Sequence, residues 1–306
     1  PYPDELPPSR PPSWPFQIAK VDRTIAELHR SWQNKALRID PDLQRAFAWD
    51  PRRQILLIES VLARIPLPAF YLSEGDDETL VIDGQQRLTA LFSFMSGAFE
   101  LRGLRLLPEV NGQRFSDLQG KAQRRFESTP LTCFILQPGA DASAKFELFE
   151  RFNNGATALN PQEIRHTLFR GPGLDLIKRL SSDTSPGSFR DVAGQGPIFD
   201  RMKAEAMILH ALTFIDRGPE NYRGDWRGFF NEELETLNRD AGLREALEHR
   251  MMNALARAKA VFGDHAFRRP KPSGIGWMSS LNTALVEVVL TGFDRHFPEH
   301  KPLSLD

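Results

Sequence analysis

Five consecutive residues, Asp83-Gly84-Gln85-Gln86-Arg87, bring a carboxylate, a glycine, two amides and a guanidinium together between two apolar segments. TLVI before them predicts a strand that exits at Ile82, and QQRLTALFSFMSG after them predicts a helix that opens at Gln85 and closes at Gly97. Gly84 permits the tight turn between the two. A helix that starts this way aims free backbone N–H groups and its positive dipole end at one spot, which suits an anion. Arg87 in the first turn adds a fork that matches phosphate oxygens. Asp83 offers a ligand for a ribose hydroxyl or a metal, and Gln85 or Gln86 can orient a water. The same residues also fit an ordinary helix start, with Asp83 as cap and Arg87 in solvent.

Two other clusters could contribute. In LQRAFAWD, residues 43–50, Gln44 and Arg45 lie between a short apolar piece and a helix, flanked by Phe47 and Trp49. Arginine among aromatics suits a nucleotide or an unstacked base; the alternative is a core tryptophan with a capping arginine. In FELFERFNNGATALNPQEIRHTLFRG, Glu150 and Asn153 at i, i+3 share a helix face and could hold a hard cation such as Mg2+. Asn153-Asn154-Gly155 ends that helix, and Asn160-Pro161 with Glu163 starts the next by ordinary capping. A corner between two helices with solvated charges is the alternative there.

The elements that would position these groups change character along the chain. Residues 1–20, with PYPDELPPSRPPSWP, are too proline-dense for a helix and predict an extended arm. Residues 21–137 alternate: a helix over VDRTIAELHRSW, a second opened by Asp50-Pro51, strands AFYL and TLVI, the Gln85 helix, and a final strand LTCFIL. From 138 to 306 the strand signals fade, and segments near 198–216, 227–240, 243–262 and 277–295 all predict helices. The expectation is an α+β protein, an α/β head followed by an all-helical C-terminal body.

Composition removes several functions. Lys and Arg number 39 against 40 Asp and Glu, so binding by bulk positive charge is excluded, although a local basic groove is not. Arg52-Arg53, Arg124-Arg125 and Arg268-Arg269 are the arginine pairs that would serve DNA, or are solvated helix faces. A single cysteine, Cys133, excludes a disulfide framework and a thiolate zinc cage. No apolar run reaches the roughly 20 residues of a membrane helix and no signal-peptide pattern opens the sequence, so a cytoplasmic protein without a membrane partner is expected. Walker, Rossmann, G-x-S-x-G and H-E-x-x-H motifs are all missing. GDHAFRRP around His265, with Asn282 downstream, bears a faint likeness to an Asp-His…Asn metal-dependent nuclease. It has no companion histidines, and helices are expected on both sides in place of a strand hairpin.

In order, LQRAFAWDPRRQILLIESVLARIPLPAFYL, VIDGQQRLTALFSF and FERFNNGATALNPQEIRHTLFRG resemble the N-terminal domain of GmrSD-type restriction proteins, whose hallmark is the Asp-Gly-Gln-Gln-Arg run. The resemblance covers about residues 22–170 and continues loosely into FGDHAFRRP and LNTALVEVV. It implies a ParB/sulfiredoxin-like fold and a nucleoside triphosphate site. Residues 83–87 stand where the ParB Gly-Glu-Arg-Arg turn cradles a triphosphate. Glu150 to Asn154 resembles the ParB Glu-Asn-x-x-Arg motif, but Arg151 and Phe152 interrupt the Glu-Asn pair. Gln44-Arg45 matches Gln-Pro-Arg without the proline.

By this resemblance Asp83, Gln86 and Arg87 are catalytic and Asp83 with Glu150 holds Mg2+. Gln44, Arg45, Gly84, Gln85, Arg87, Asn153 and Asn154 bind the nucleotide. The implied activity is Mg-dependent NTP hydrolysis in a sensor module of an antiphage or restriction system that acts on modified DNA. Cleavage would come from a separate nuclease or defence-system partner. A DNA-binding module without hydrolysis is the alternative, and a self-contained nuclease using His265 a third.

Overall fold

The computed structural model describes residues 17–40, 49–75, 77–137, 142–152, 159–194 and 201–297. It is a mixed α+β protein whose described residues fall into two compact units, one within Pro12–Leu159 and the other within Asn160–Asp306.

In the first unit, β1 (Ile18–Thr24) leads into α1 (Ile25–Gln33), β2 (Leu37–Arg38) and α2 (Pro51–Leu62). The chain continues through β3 (Phe70–Glu74), β4 (Thr79–Asp83), α3 (Gln85–Met95), α4 (Gly120–Glu127), β5 (Pro130–Leu136) and α5 (Ala142–Phe152). The strands form one sheet in the order β1-β5-β3-β4-β2. β1 runs antiparallel to β5 and β3 antiparallel to β4, while β3–β5 and β2–β4 are parallel. Ile58, Phe70, Val81, Leu88, Leu91, Phe94 and Cys133 are buried together in the core of this unit.

Two boundaries depart from the sequence expectation. The helix expected from Val21 begins only at Ile25, because Ile18–Thr24 pairs along its whole length with β5. Thr24 then caps α1, accepting from the Glu27 N–H at 3.2 Å while the Glu27 carboxylate takes the Thr24 N–H at 2.7 Å. Helix α5, expected in the helical body, packs on β4 of the sheet unit. Phe146 and Phe149 are buried there, and Phe152 stacks on Tyr71 of β3 with centroids 3.8 Å apart.

The second unit holds α6 (Pro161–Leu168), α7 (Pro172–Ser182), α8 (Phe189–Ala193), α9 (Lys203–Asp216), α10 (Trp226–Arg239), α11 (Ala241–Phe262), β6 (Arg268–Pro270), β7 (Trp277–Leu281) and α12 (Thr283–His296). Helix α9 is apolar nearly all round, with Ile208, Leu209, Ala211 and Leu212 buried, and it touches α7, α10, α11 and α12. The unit is not all-helical. β6 and β7 pair antiparallel, Arg268 opposite Leu281 and Pro270 opposite Trp277. The helix expected from 277 cannot start there. The Pro- and Gly-rich turn closes a hairpin through the Lys271 N–H to the Gly276 carbonyl at 2.9 Å, and the first cap available is Asn282, which accepts from the Leu285 N–H. Among the described residues no helix is long and apolar enough to cross a membrane.

Candidate functional site

The Asp83–Arg87 run forms the β4–α3 junction, as its residue types predict. Gly84 is the N-cap of α3 with φ +99°, in the left-handed region where side chains are costly, and a Cβ there would overlap the Phe70 ring. Among the described residues no side chain caps the first turn of α3. The helix start therefore keeps backbone N–H donors and a positive dipole end beside the Asp83 carboxylate, whose side chain is 38% exposed. Asp83 is not the cap that the plain helix-start reading assigns.

Arg87 is not solvated. Its side chain is 10% exposed and lies over the Phe70 ring, with Cζ 4.3 Å from the centroid. One Nη donates to the Pro68 carbonyl, and the other to the Ala69 carbonyl at 3.0 Å and to Asp83 Oδ2 at 2.8 Å. Burial pulls its pKa below the ordinary arginine value and Asp83 opposes that shift. The fork expected to grip phosphate is thus engaged with the protein itself, tying α3 to the chain entering β3 and fixing the Asp83 carboxylate.

The glutamines are positioned as well. Gln85 donates from Nε2 to the Val81 carbonyl at 3.1 Å. Gln86 Oε1 accepts the Trp49 N–H at 3.1 Å, and Gln54 Nε2 donates to the Trp49 carbonyl at 2.8 Å. Both polar groups of the Trp49 backbone are therefore held, one by the DGQQR run and one by α2. Trp49 immediately follows the segment with Gln44 and Arg45, which lies outside the described residues, as do Asn153 and Asn154. Glu150 is half-buried on α5, the helix that packs on the strand ending at Asp83.

Phe70, Pro68 and Ala69 are essential to this geometry and no motif points to them, since a backbone carbonyl carries no sequence signature. The one available hint is the Pro66/Pro68 pair, which prevents a helix and leaves carbonyls for a distant donor. Elsewhere, His265 stacks on Trp277, Asp264 pairs with Lys259 at 2.9 Å and Asn282 caps α12. The hairpin unexpected from sequence follows His265. Among the described residues no group of three or more His, Cys, Asp or Glu could hold a metal ion. Arg268 donates to three backbone carbonyls, whereas Arg52, Arg53, Arg124 and Arg125 are exposed on α2 and α4, two helices in contact.

A mixed sheet that delivers a carboxylate and an uncapped, glycine-led helix start to one point defines an α+β domain with a polar junction at the strand end. Residues 25–170 match the family model described as GmrSD restriction endonuclease, N-terminal domain. No curated protein matches the chain.

Proposed function

We propose that the first unit binds a nucleoside triphosphate at the start of α3 and serves as the nucleotide-hydrolysing sensor or regulatory module of a restriction or antiphage system. The observation that carries this reading is the uncapped first turn of α3, opened by a left-handed glycine beside a carboxylate held in place by a buried arginine. The family description, a restriction endonuclease N-terminal domain, supports the setting, and a ParB/sulfiredoxin-like arrangement of the sheet belongs to the same proposal.

The roles follow the geometry. The α3 amides bind phosphate oxygens, and Gly84 lets the phosphates approach the backbone. Arg87 is a positioning residue for Asp83. Mg2+ needs only one or two carboxylates beside phosphate and water, so Asp83 and Glu150 suit it as oxygen donors. Bound with the nucleotide, the ion would neutralise phosphate charge. Gln86 keeps its amide nitrogen for a water or phosphate while its oxygen holds Trp49. Gln44 and Arg45 are assigned to base or sugar, and Asn153 and Asn154 to the phosphate end, on the motif alone. DNA cleavage falls to a partner nuclease.

The test is phosphate release and calorimetric binding with ATP, GTP, CTP and UTP, with and without Mg2+. At least one nucleotide binds in a Mg2+-dependent manner, and Asp83→Asn weakens that binding tenfold or more. Failure of the wild type to bind any of the four overturns the reading. A second reading, contact with duplex DNA, rests on the exposed arginine pairs of α2 and α4. A gel shift that weakens steeply with salt, and is lost in Arg52→Ala/Arg124→Ala, would support it.

A further inference from the structure

The second unit contains a cavity of about 620 Å³, within the range of small-molecule sites. Four helices contribute their first turns to its lining: Pro161 and Gln162 from α6, Lys203 from α9, Trp226 from α10, and Thr283 from α12. Side chains cap three of these starts, Asn160 on α6, Asp225 on α10 and Asn282 on α12, whereas the start of α9 has no side-chain cap among the described residues and offers its amides and positive dipole end to an anion. Lys203, exposed at the rim, adds a positive charge, and Arg165 lines the wall with Nε donating to Asn231 Oδ1 at 2.8 Å. The carboxylate in the lining, Glu287, is engaged by His210 Nδ1 at 2.8 Å.

Gln162 adds an unmet polar demand of its own. It is 2% exposed, it lines the cavity, and among the described residues neither Oε1 nor Nε2 has a hydrogen-bond partner. A buried amide without partners costs about 1–3 kcal/mol, so a fold that retains one either tolerates that loss or fills the site with a ligand. An adjacent acceptor and donor match the edge of a nucleobase, which likewise presents a donor beside an acceptor. The remaining wall is apolar and aromatic. Trp226 and Phe230 stack with centroids 5.6 Å apart, Phe230 stacks on His210 at 3.8 Å, and Met207 completes the surface.

We propose that this cavity is a binding site for a small planar anion of the nucleoside monophosphate class. Gln162 reads the base edge, the aromatic wall packs against the base, and Lys203 with the uncapped start of α9 holds the phosphate. The site is separate from the α3 junction, needs no metal, and makes the helical unit a second small-molecule receptor in the same chain.

The test titrates the whole chain with AMP, GMP, CMP and UMP in EDTA, read by calorimetry and tryptophan fluorescence, with inorganic phosphate as the control. At least one monophosphate binds saturably, and phosphate at the same concentration does not. Gln162→Leu weakens the affinity tenfold or more and Lys203→Ala several-fold, while both variants keep the Mg2+-dependent triphosphate binding of the first unit. Because Lys203 is exposed at the rim, its variant reports on the site even if Gln162→Leu does not fold. Absence of monophosphate binding, binding unchanged in the folded variants, or phosphate binding equally well would each overturn the proposal. None of these results bears on triphosphate binding at α3, which fails separately if the wild type binds no triphosphate.

Discussion

The start of α3 and the cavity of the helical unit treat their polar side chains in opposite ways. At α3, Arg87, Gln85, Gln86 and Asp83 all make hydrogen bonds within the protein, and what is left open is backbone. In the cavity the helix starts at Asn160 and Asn282 are capped, and a buried side-chain amide is left open. A local motif can thus be conspicuous because it builds a rigid turn, with binding left to the amides it exposes. A cavity can be rich in unmet polar demand with no motif at all. Removing side chains should therefore cost stability at the first place and ligand affinity at the second.

The largest effect is expected at Arg87. Arg87→Ala leaves two carbonyls and Asp83 without their donor and should lower stability by about 3–5 kcal/mol, measured by urea unfolding. Arg87→Lys should recover little of this, since a single ammonium cannot reproduce the fork over Phe70. A loss below about 1 kcal/mol would break the comparison, because it would leave Arg87 available to a ligand.

Next is the pH dependence of the helical unit. Glu233 is fully buried with Arg217 Nε at 3.2 Å, and burial, reinforced by Asp216 and opposed by Arg217, pushes its pKa up to about 7. An acid whose folded pKa lies above its unfolded value binds more protons when folded, so stability falls as pH rises from about 4.5 through about 7. The loss is at most about 3 kcal/mol. Glu233→Gln should remove this slope and raise the midpoint at pH 8. A wild-type curve that is flat over this interval, or rises, would contradict the assignment.

A smaller effect of opposite sign is expected at Gln162. Gln162→Leu removes an unpartnered buried amide and should leave stability unchanged or raise it by about 1 kcal/mol. A loss of more than about 2 kcal/mol would show that the amide supports the fold and erase the contrast with Arg87. The smallest effect concerns Cys133, whose thiol burial pushes up to about 11. It should react with a thiol reagent only on unfolding, and fast labelling of the native protein would place it at a surface.

Legibility followed the range of the interactions. The β3, β4 and α3 segments were readable because apolar patterning and Gly84 are local signals, and α2 because Asp50-Pro51 caps it, with Asp50 accepting the Arg53 N–H at 3.0 Å. β1 reads as the start of a helix because Asp22 and Arg23 mimic a first turn, and only its pairing with β5, far along the chain, makes it a strand. The β6–β7 hairpin was hidden for a similar reason: β6 is three residues long and contains a proline, so it has no period to detect. In the site, the positive φ of Gly84 could be anticipated, but the carbonyl partners of Arg87 could not. The cavity escaped altogether, since Gln162 and Glu287 belong to helices more than a hundred positions apart in sequence.

The most direct measurement of the central claim is amide hydrogen exchange on the whole chain with and without a nucleoside triphosphate and Mg2+. Peptides covering Gln85–Leu88 should gain protection on nucleotide binding, and Asp83→Asn should abolish that gain while leaving exchange of the free protein unchanged in β4 and α3. Protection that appears only in the helical unit, or an equal gain in Asp83→Asn, would contradict the assignment of the phosphates to the start of α3.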